Sequence, residues 1–155
     1  MNEIEKKLNE LEVQLPEPRK PAGTFLPYLI EGSNLYISGQ VSIDEAGNVI
    51  QGKLGQTLDL TEGQSAAKRC AIGVLAQAKA ALGDLNRVER LVKLGAFVNA
   101  APDFSGHPKV VNGASDFMVE VLGEEKGAHV RFAVGSSSLP SNAAVEIEAV
   151  FKITD

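Results

Sequence analysis

Val130-Arg-Phe-Ala-Val-Gly-Ser-Ser-Ser-Leu-Pro140, followed by Val145-Glu-Ile-Glu-Ala-Val150, decides the fold. Successive side chains of a strand point to opposite faces, so parity in residue number is parity in space. Val130, Phe132 and Val134 share one parity, as do Val145, Ile147, Ala149 and Phe151 further on. The other parity carries His129, Arg131 and Ala133 on the first segment and Glu146 and Glu148 on the second. This alternation predicts strands around 129–134 and 144–153, joined by the turn-rich stretch from Gly135 to Pro140. One face of the pair packs on helices, and the other holds an arginine, two glutamates and a histidine.

Working outward, Leu35, Ile37, Gly39 and Val41 alternate with Tyr36, Ser38 and Gln40, which adds a strand whose second side joins that polar face. Asp44 to Asn48 is rich in turn formers, with a second short strand around Val49. Thr61 and Gln64 have the spacing of a capping box for a helix running to about Leu82, where Gly83 stops it. Alanines 66, 67, 71, 76, 78, 80 and 81 let that helix approach a sheet closely. Val88, Val92, Leu94, Ala96 and Val98 share parity and predict another strand. Pro108 suits the first turn of a further helix, in which Val110, Ala114, Phe117 and Val121 recur before Gly123. Near the start, Ile4, Leu8 and Leu11 form a narrow helical stripe within 1–15, and Pro16, Pro18 and Pro21 then break it. The chain thus divides into an N-terminal helix with a Pro-rich linker over 1–22 and a main domain over 23–155. The order helix, strands, helix, strand, helix, strand, strand indicates an α+β fold, a mixed sheet covered by helices on one side.

Composition sets limits on function. The chain has 155 residues, 44% hydrophobic and 23% charged, which fits one folded domain. Fifteen basic against twenty acidic residues give a net charge of −5, which argues against nucleic acid or an acidic membrane as a charge-driven partner. No apolar run resembles a signal peptide or a membrane span, so a cytoplasmic location is expected. The single cysteine, Cys70, leaves no internal disulfide and no multi-cysteine metal site. No metal-ligand spacing, nucleophile elbow or dinucleotide fingerprint is present, so neither metal nor cofactor is expected.

Among individual residues, Arg131 can bind a carboxylate bidentately, or it can form a cross-strand ion pair with Glu146 or Glu148. Spacing alone favours the ion pair. Glu146, if screened from water, could exchange protons near neutrality, although a Glu-x-Glu strand is equally a solvated or interface face. Tyr28 and Ser38 offer hydroxyls at strand ends for orienting a substrate or for structure, and Asn112 lies in the first turn of a helix as a cap or an exposed amide. Cys70, among alanines, reads as core. His107 reads as a loop residue, and His129 shares the Arg131 side at the strand entrance.

Taken together, Val130–Pro140 with Val145–Val150, Tyr36-Ile-Ser-Gly-Gln40, Pro27-Tyr28, Phe97-Val98 and Val111-Asn112 resemble the YjgF/RidA family of small trimeric proteins that deaminate reactive enamines and imines. The resemblance covers about Gly23 to Ile153 and marks a divergent branch with an N-terminal extension. It implies a chorismate-mutase-like fold with two main helices on one sheet face, and a homotrimer with a central barrel and intersubunit sites. It further implies hydrolysis of 2-aminoacrylate or 2-iminopropionate-type acids to 2-keto acids and ammonia, without cofactor or metal. The alternative is a non-catalytic trimer that binds or senses small carboxylates such as 2-keto acids. By position, Arg131 aligns with the arginine that grips the substrate carboxylate and Glu146 with the glutamate that positions or activates water. The resemblance also implies that Tyr28, Ser38, Asn112 and Ala133 line the pocket. Ala133 stands where the active branch commonly has cysteine, and His129-Val130 replaces the usual small or proline residues. The segment between Asn112 and Arg131 is also slightly longer than in compact members.

Overall fold

The computed structural model describes residues 3–155. Five strands form one sheet: β1 (Tyr28–Glu31), β2 (Asn34–Val41), β3 (Val88–Asn99), β4 (Val130–Ser136) and β5 (Val145–Ile153), in the order β1-β2-β5-β3-β4. All neighbours are antiparallel except β3 and β4. That parallel pair needs a crossover, which α3 (His107–Leu122) supplies. α2 (Leu60–Leu82) and α3 pack together on one face of the sheet, as the sequence predicts. α1 (Glu3–Glu10) lies outside them, and α4 (Glu124–Gly127) is a single turn before β4. Met1 and Asn2 of the expected first helix lie outside the described residues. No described helix is long and apolar enough to cross a membrane.

Small residues on α2 set the layer spacing. Ala66, Ala67, Ala71 and Ala78 are fully buried, and Leu94, Ala96, Ile147 and Phe151 line the same core from the sheet. Gly113 of α3 crosses α2 where the Gln64 carbonyl lies, so close that any Cβ would overlap it. The start of α2 lies two residues earlier than the Thr61–Gln64 spacing predicts. Asp59 accepts the Glu62 N–H at 2.8 Å and Glu62 Oε1 accepts the Asp59 N–H at 3.1 Å, so a carboxylate cap precedes the threonine. The N-terminal segment is held against this body. Ile4, Leu8 and Val13 are buried in the common core, Glu5 pairs with Lys79, and Gln77 Nε2 donates to Arg19 O at 2.9 Å.

Strand parity departs from the sequence expectation in three places, each with a local cause. In β2 the register shifts between Ile37 and Gln40, a bulge at Ser38–Gly39. Gln40 therefore turns inward, 8% exposed, to contact Gly73 and bond with Gln77 of α2, instead of joining Tyr36 and Ser38. In β3 two further shifts bring Leu91 inward and leave Val92 exposed. In β4 the sides are reversed. Arg131 and Ala133 lie beside Leu94 and Ala96 on the helix side, whereas Val130 and Val134 are 66% and 44% exposed on the open face. β4 is an edge strand, so its apolar parity does not have to face the chain's own core.

Two expectations follow. Gly113→Ala should lower stability by about 3 kcal/mol, the upper end of overpacking costs, because the clash is with backbone; denaturant titration measures it. Cys70 is fully buried, burial and then Glu146 push its thiol well above the usual range, and its S–H reaches Val145 O at 3.3 Å. Iodoacetamide should therefore leave the native protein unmodified and label it only in denaturant, a contrast that mass spectrometry reads directly.

Candidate functional site

The predicted site residues fall into two groups. The first gathers at the bulge of β2. Tyr28 stands opposite Ile37, the Ser38 N–H donates to Pro27 O at 3.0 Å, and Ser38 Oγ donates to Leu26 O at 2.6 Å. The Ser38 oxygen thus keeps its lone pairs for another donor. Glu146 of β5 lays its carboxylate over Gly39, in space a side chain there would fill. Burial and then Glu148 raise its pKa above the usual carboxylate range. Glu148 occupies the equivalent space over Gly95, against Phe132. Tyr28, Ser38, Tyr36, Lys93 and Glu148 line a cleft of about 590 Å³ on the open face.

The second group lies at the opposite sheet edge, between β4 and α3. Arg131 Nη1 donates to Ser115 Oγ at 2.9 Å and Nη2 donates to Pro108 O at 3.1 Å. Asn112 is exposed on α3, and its i+4 and i+3 relations to Pro108 and Ser115 place it beside the guanidinium. Ala133 follows on the same side of β4, packed against the core. Beyond it, a Cβ at Gly135 would lie 2.6 Å from His107 Nε2, so the imidazole rests on the strand there. Phe104 holds that ring edge-on, with centroids 5.3 Å apart.

Arg131 and Glu146 therefore do not share a sheet face, because Arg131 points to the helix side and Glu146 to the open side. Neither does Arg131 make the cross-strand ion pair with Glu146 or Glu148 that spacing alone favours. The described ion pairs are Lys7–Glu10, Lys79–Glu5 and Lys152–Glu89. β1 and β4 are the two edges of the sheet, four strand steps or about 19 Å apart. Glu146 on the central β5 is two steps or about 10 Å from β4, on the opposite face. The two groups of predicted residues thus lie on opposite faces of one chain's sheet. Ser115 escaped the sequence reading, and His107 reads there as a loop residue. The spacing from Asn112 along a helix could have found Ser115, while His107 is the first residue of α3 and not part of the loop. Among the described residues, no group of three or more His, Cys, Asp or Glu side chains could hold a metal ion.

Comparison with known proteins agrees with this architecture. Residues 5–151 match the family described as "YjgF/chorismate_mutase-like, putative endoribonuclease". The chain belongs to the YjgF/RidA family. It is 45% identical over 148 residues to Protein TCP17 of Trypanosoma cruzi, covering 96% of this chain and 92% of that protein. The crystal structure of Atu1372 from Agrobacterium tumefaciens is 42% identical with a TM-score of 0.89, covering 98% of this chain and 94% of that one. A "putative endoribonuclease" structure from Shewanella oneidensis is 31% identical with a TM-score of 0.94, covering 98% and 100%. The YjgF/RidA match accounts for the mixed sheet with two helices on one face.

The raised pKa of Glu146 carries a stability consequence. The folded chain keeps this proton at pH values where the unfolded chain releases it, so stability falls as pH rises through that interval. The penalty is full above the folded pKa and absent below the unfolded one. Glu146→Gln should raise the melting temperature at about pH 8, and the gain should vanish by about pH 4, near the unperturbed carboxylate range.

Proposed function

We propose that this protein is an imine/enamine deaminase whose sites form between the subunits of a homotrimer. The observation that carries this reading is the split site, with Arg131, Asn112 and Ala133 on one edge and Tyr28, Ser38 and Glu146 around the bulge near the other. A head-to-tail ring brings one edge of each subunit to the complementary edge of the next. The apolar open face supports the same assembly, since Tyr36, Phe97, Val130 and Val134 are all exposed on it. A patch of that kind is what an interface covers.

In such a site Arg131 binds the substrate carboxylate. Two of its five N–H groups are taken by Ser115 and Pro108, which leaves three, enough for a bidentate pair. Tyr28 and Asn112 orient the planar imine over Ala133. Ser38 accepts a hydrogen bond from water, and Glu146, whose raised pKa suits proton exchange, takes a proton from that water as it attacks the imine carbon. The C–O bond forms as the C=N π pair moves to nitrogen. Return of that proton to nitrogen gives the carbinolamine. Transfer of its hydroxyl proton to the amine, again through Glu146, lets the C–N bond break as the C=O bond forms, giving a 2-keto acid and ammonia. The imine is already electrophilic, so placement and proton transfer suffice.

Arg131→Ala should lower kcat/KM for enzymatically generated 2-iminopropionate about 100-fold, as expected for loss of a charge-assisted bidentate contact. A wild-type rate no faster than the uncatalysed one overturns the deaminase reading. Tight binding of 2-ketobutyrate without turnover would support a carboxylate sensor in its place. Mixing Arg131→Ala chains with Glu146→Gln chains tests the shared site. Random reassembly should restore about one quarter of the wild-type sites, because each site then draws an intact arginine and an intact glutamate from different subunits. Absence of any recovery places both residues in one subunit's site.

A further inference from the structure

We infer that His129 and Ser115 form a polarised hydrogen-bond chain that fixes the orientation of the Arg131 guanidinium for carboxylate binding, an inference that rests on the reading of Arg131 above. His129 Nδ1 lies 2.6 Å from Gly127 O, and its Nε2 lies 2.9 Å from Ser115 Oγ. Ser115 Oγ in turn lies 2.9 Å from Arg131 Nη1. The two ends set the direction of every bond between them. A carbonyl only accepts, so the hydrogen of the neutral imidazole is on Nδ1, which leaves Nε2 as an acceptor. A guanidinium only donates, so Ser115 Oγ accepts from Nη1 and passes its own O–H to Nε2. No donor faces a donor and no acceptor an acceptor. Pro108 O, taking Nη2 at 3.1 Å, is the second anchor, and the guanidinium plane is held at two points on α3.

The far end of the chain is itself rigid. α4 lies in the segment between Asn112 and Arg131, and it presents the Gly127 carbonyl. The Gly127 N–H bonds Gly123 O at 2.8 Å, and Arg90 of β3 ties down the next carbonyl, Ala128 O, at 2.6 Å. A Cβ at Gly127 would lie 2.7 Å from Val119 Cα and 2.9 Å from Met118 O, so only glycine lets this turn sit so close to α3. The α4 turn and the histidine before Val130 thus act together, one supplying the carbonyl and the other reading it. His129 and Ser115 are positioning residues, because they reach the substrate only through Arg131.

Long-range proton–nitrogen NMR correlations on the wild-type protein should show His129 as the Nδ1–H tautomer. They should also show slowed rotation of the Arg131 guanidinium that Ser115→Ala abolishes. In turnover, Ser115→Ala and His129→Phe should raise KM about tenfold with kcat within twofold. Ser115→Thr, which keeps the hydroxyl, and His129→Gln, which keeps an acceptor near the Nε2 position, should stay within about threefold of wild type. An Nε2–H tautomer, or an unchanged KM in both Ser115→Ala and His129→Phe, overturns the chain. If the wild type neither turns over imines nor binds 2-ketobutyrate, the functional reading fails, and the tautomer and the arginine rotation still decide this inference.

Discussion

The sheet has helices to cover one of its faces, and the arrangement of the rest follows from what happens on the other. On the covered side, alanines of α2 and glycine at the α2–α3 crossing let two helices lie close to the strands, with Leu94, Ala96, Ile147 and Phe151 beneath them. On the open side the same strands present Glu146 and Glu148 seated over Gly39 and Gly95, between aromatic and aliphatic side chains. Water would accept the carboxylates without cost but not the apolar groups, and a dry interface would accept the reverse. A surface carrying both suits an interface that encloses polar pockets, which is the form a shared site takes.

Elements were legible in the sequence where periodicity ran without interruption. α3 follows Val110, Ala114, Phe117 and Val121 between Pro108 and Gly123, and β5 alternates from Val145 to Phe151 without a break. Where a bulge intervened, parity failed from that point on. Gln40 sits inside because Ser38–Gly39 adds a residue to β2, and Leu91 replaces Val92 inside for the same reason in β3. β4 failed differently. Its alternation is real, but Val130, Phe132 and Val134 face the open side: alternation records two unlike faces and not which of them meets the chain's own core. The sequence-level assumption that every apolar face meets the chain's own core therefore reversed Arg131.

That reversal changes the chemistry. An arginine on the open face near Glu146 would have been neutralised by it, and each group would have lost its distinct role. On the helix side Arg131 meets a serine hydroxyl and a carbonyl, neither of which carries a charge, so its full positive charge stays available to an anionic ligand. Glu146 has no cationic partner within ion-pair distance among the described residues and a second carboxylate nearby, so its charged form is disfavoured. The sheet keeps apart two opposite charges that would otherwise quench each other, and residue types alone, without the parity of one edge strand, do not reveal that separation.

The same separation accounts for where stability is given up. Glu146 sits half-buried beside Glu148, an arrangement that disfavours the charged native state and that a glutamine would relieve. A structural carboxylate in that position would gain from a neighbouring lysine, and Lys93 lies on the same open face yet reaches over the Phe132 ring, 5.4 Å from its centroid. Around Arg131 the opposite holds: each donor used is matched by an acceptor, and the helix turn behind it is locked by Gly127. In the proposed shared site, one half is thus satisfied and rigid, and the other is unpaired and poised. Binding needs the first, because an anchored guanidinium loses little freedom on meeting a carboxylate. Proton transfer needs the second, because a carboxylate stabilised in its charged form would be too weak a base to take a proton from water.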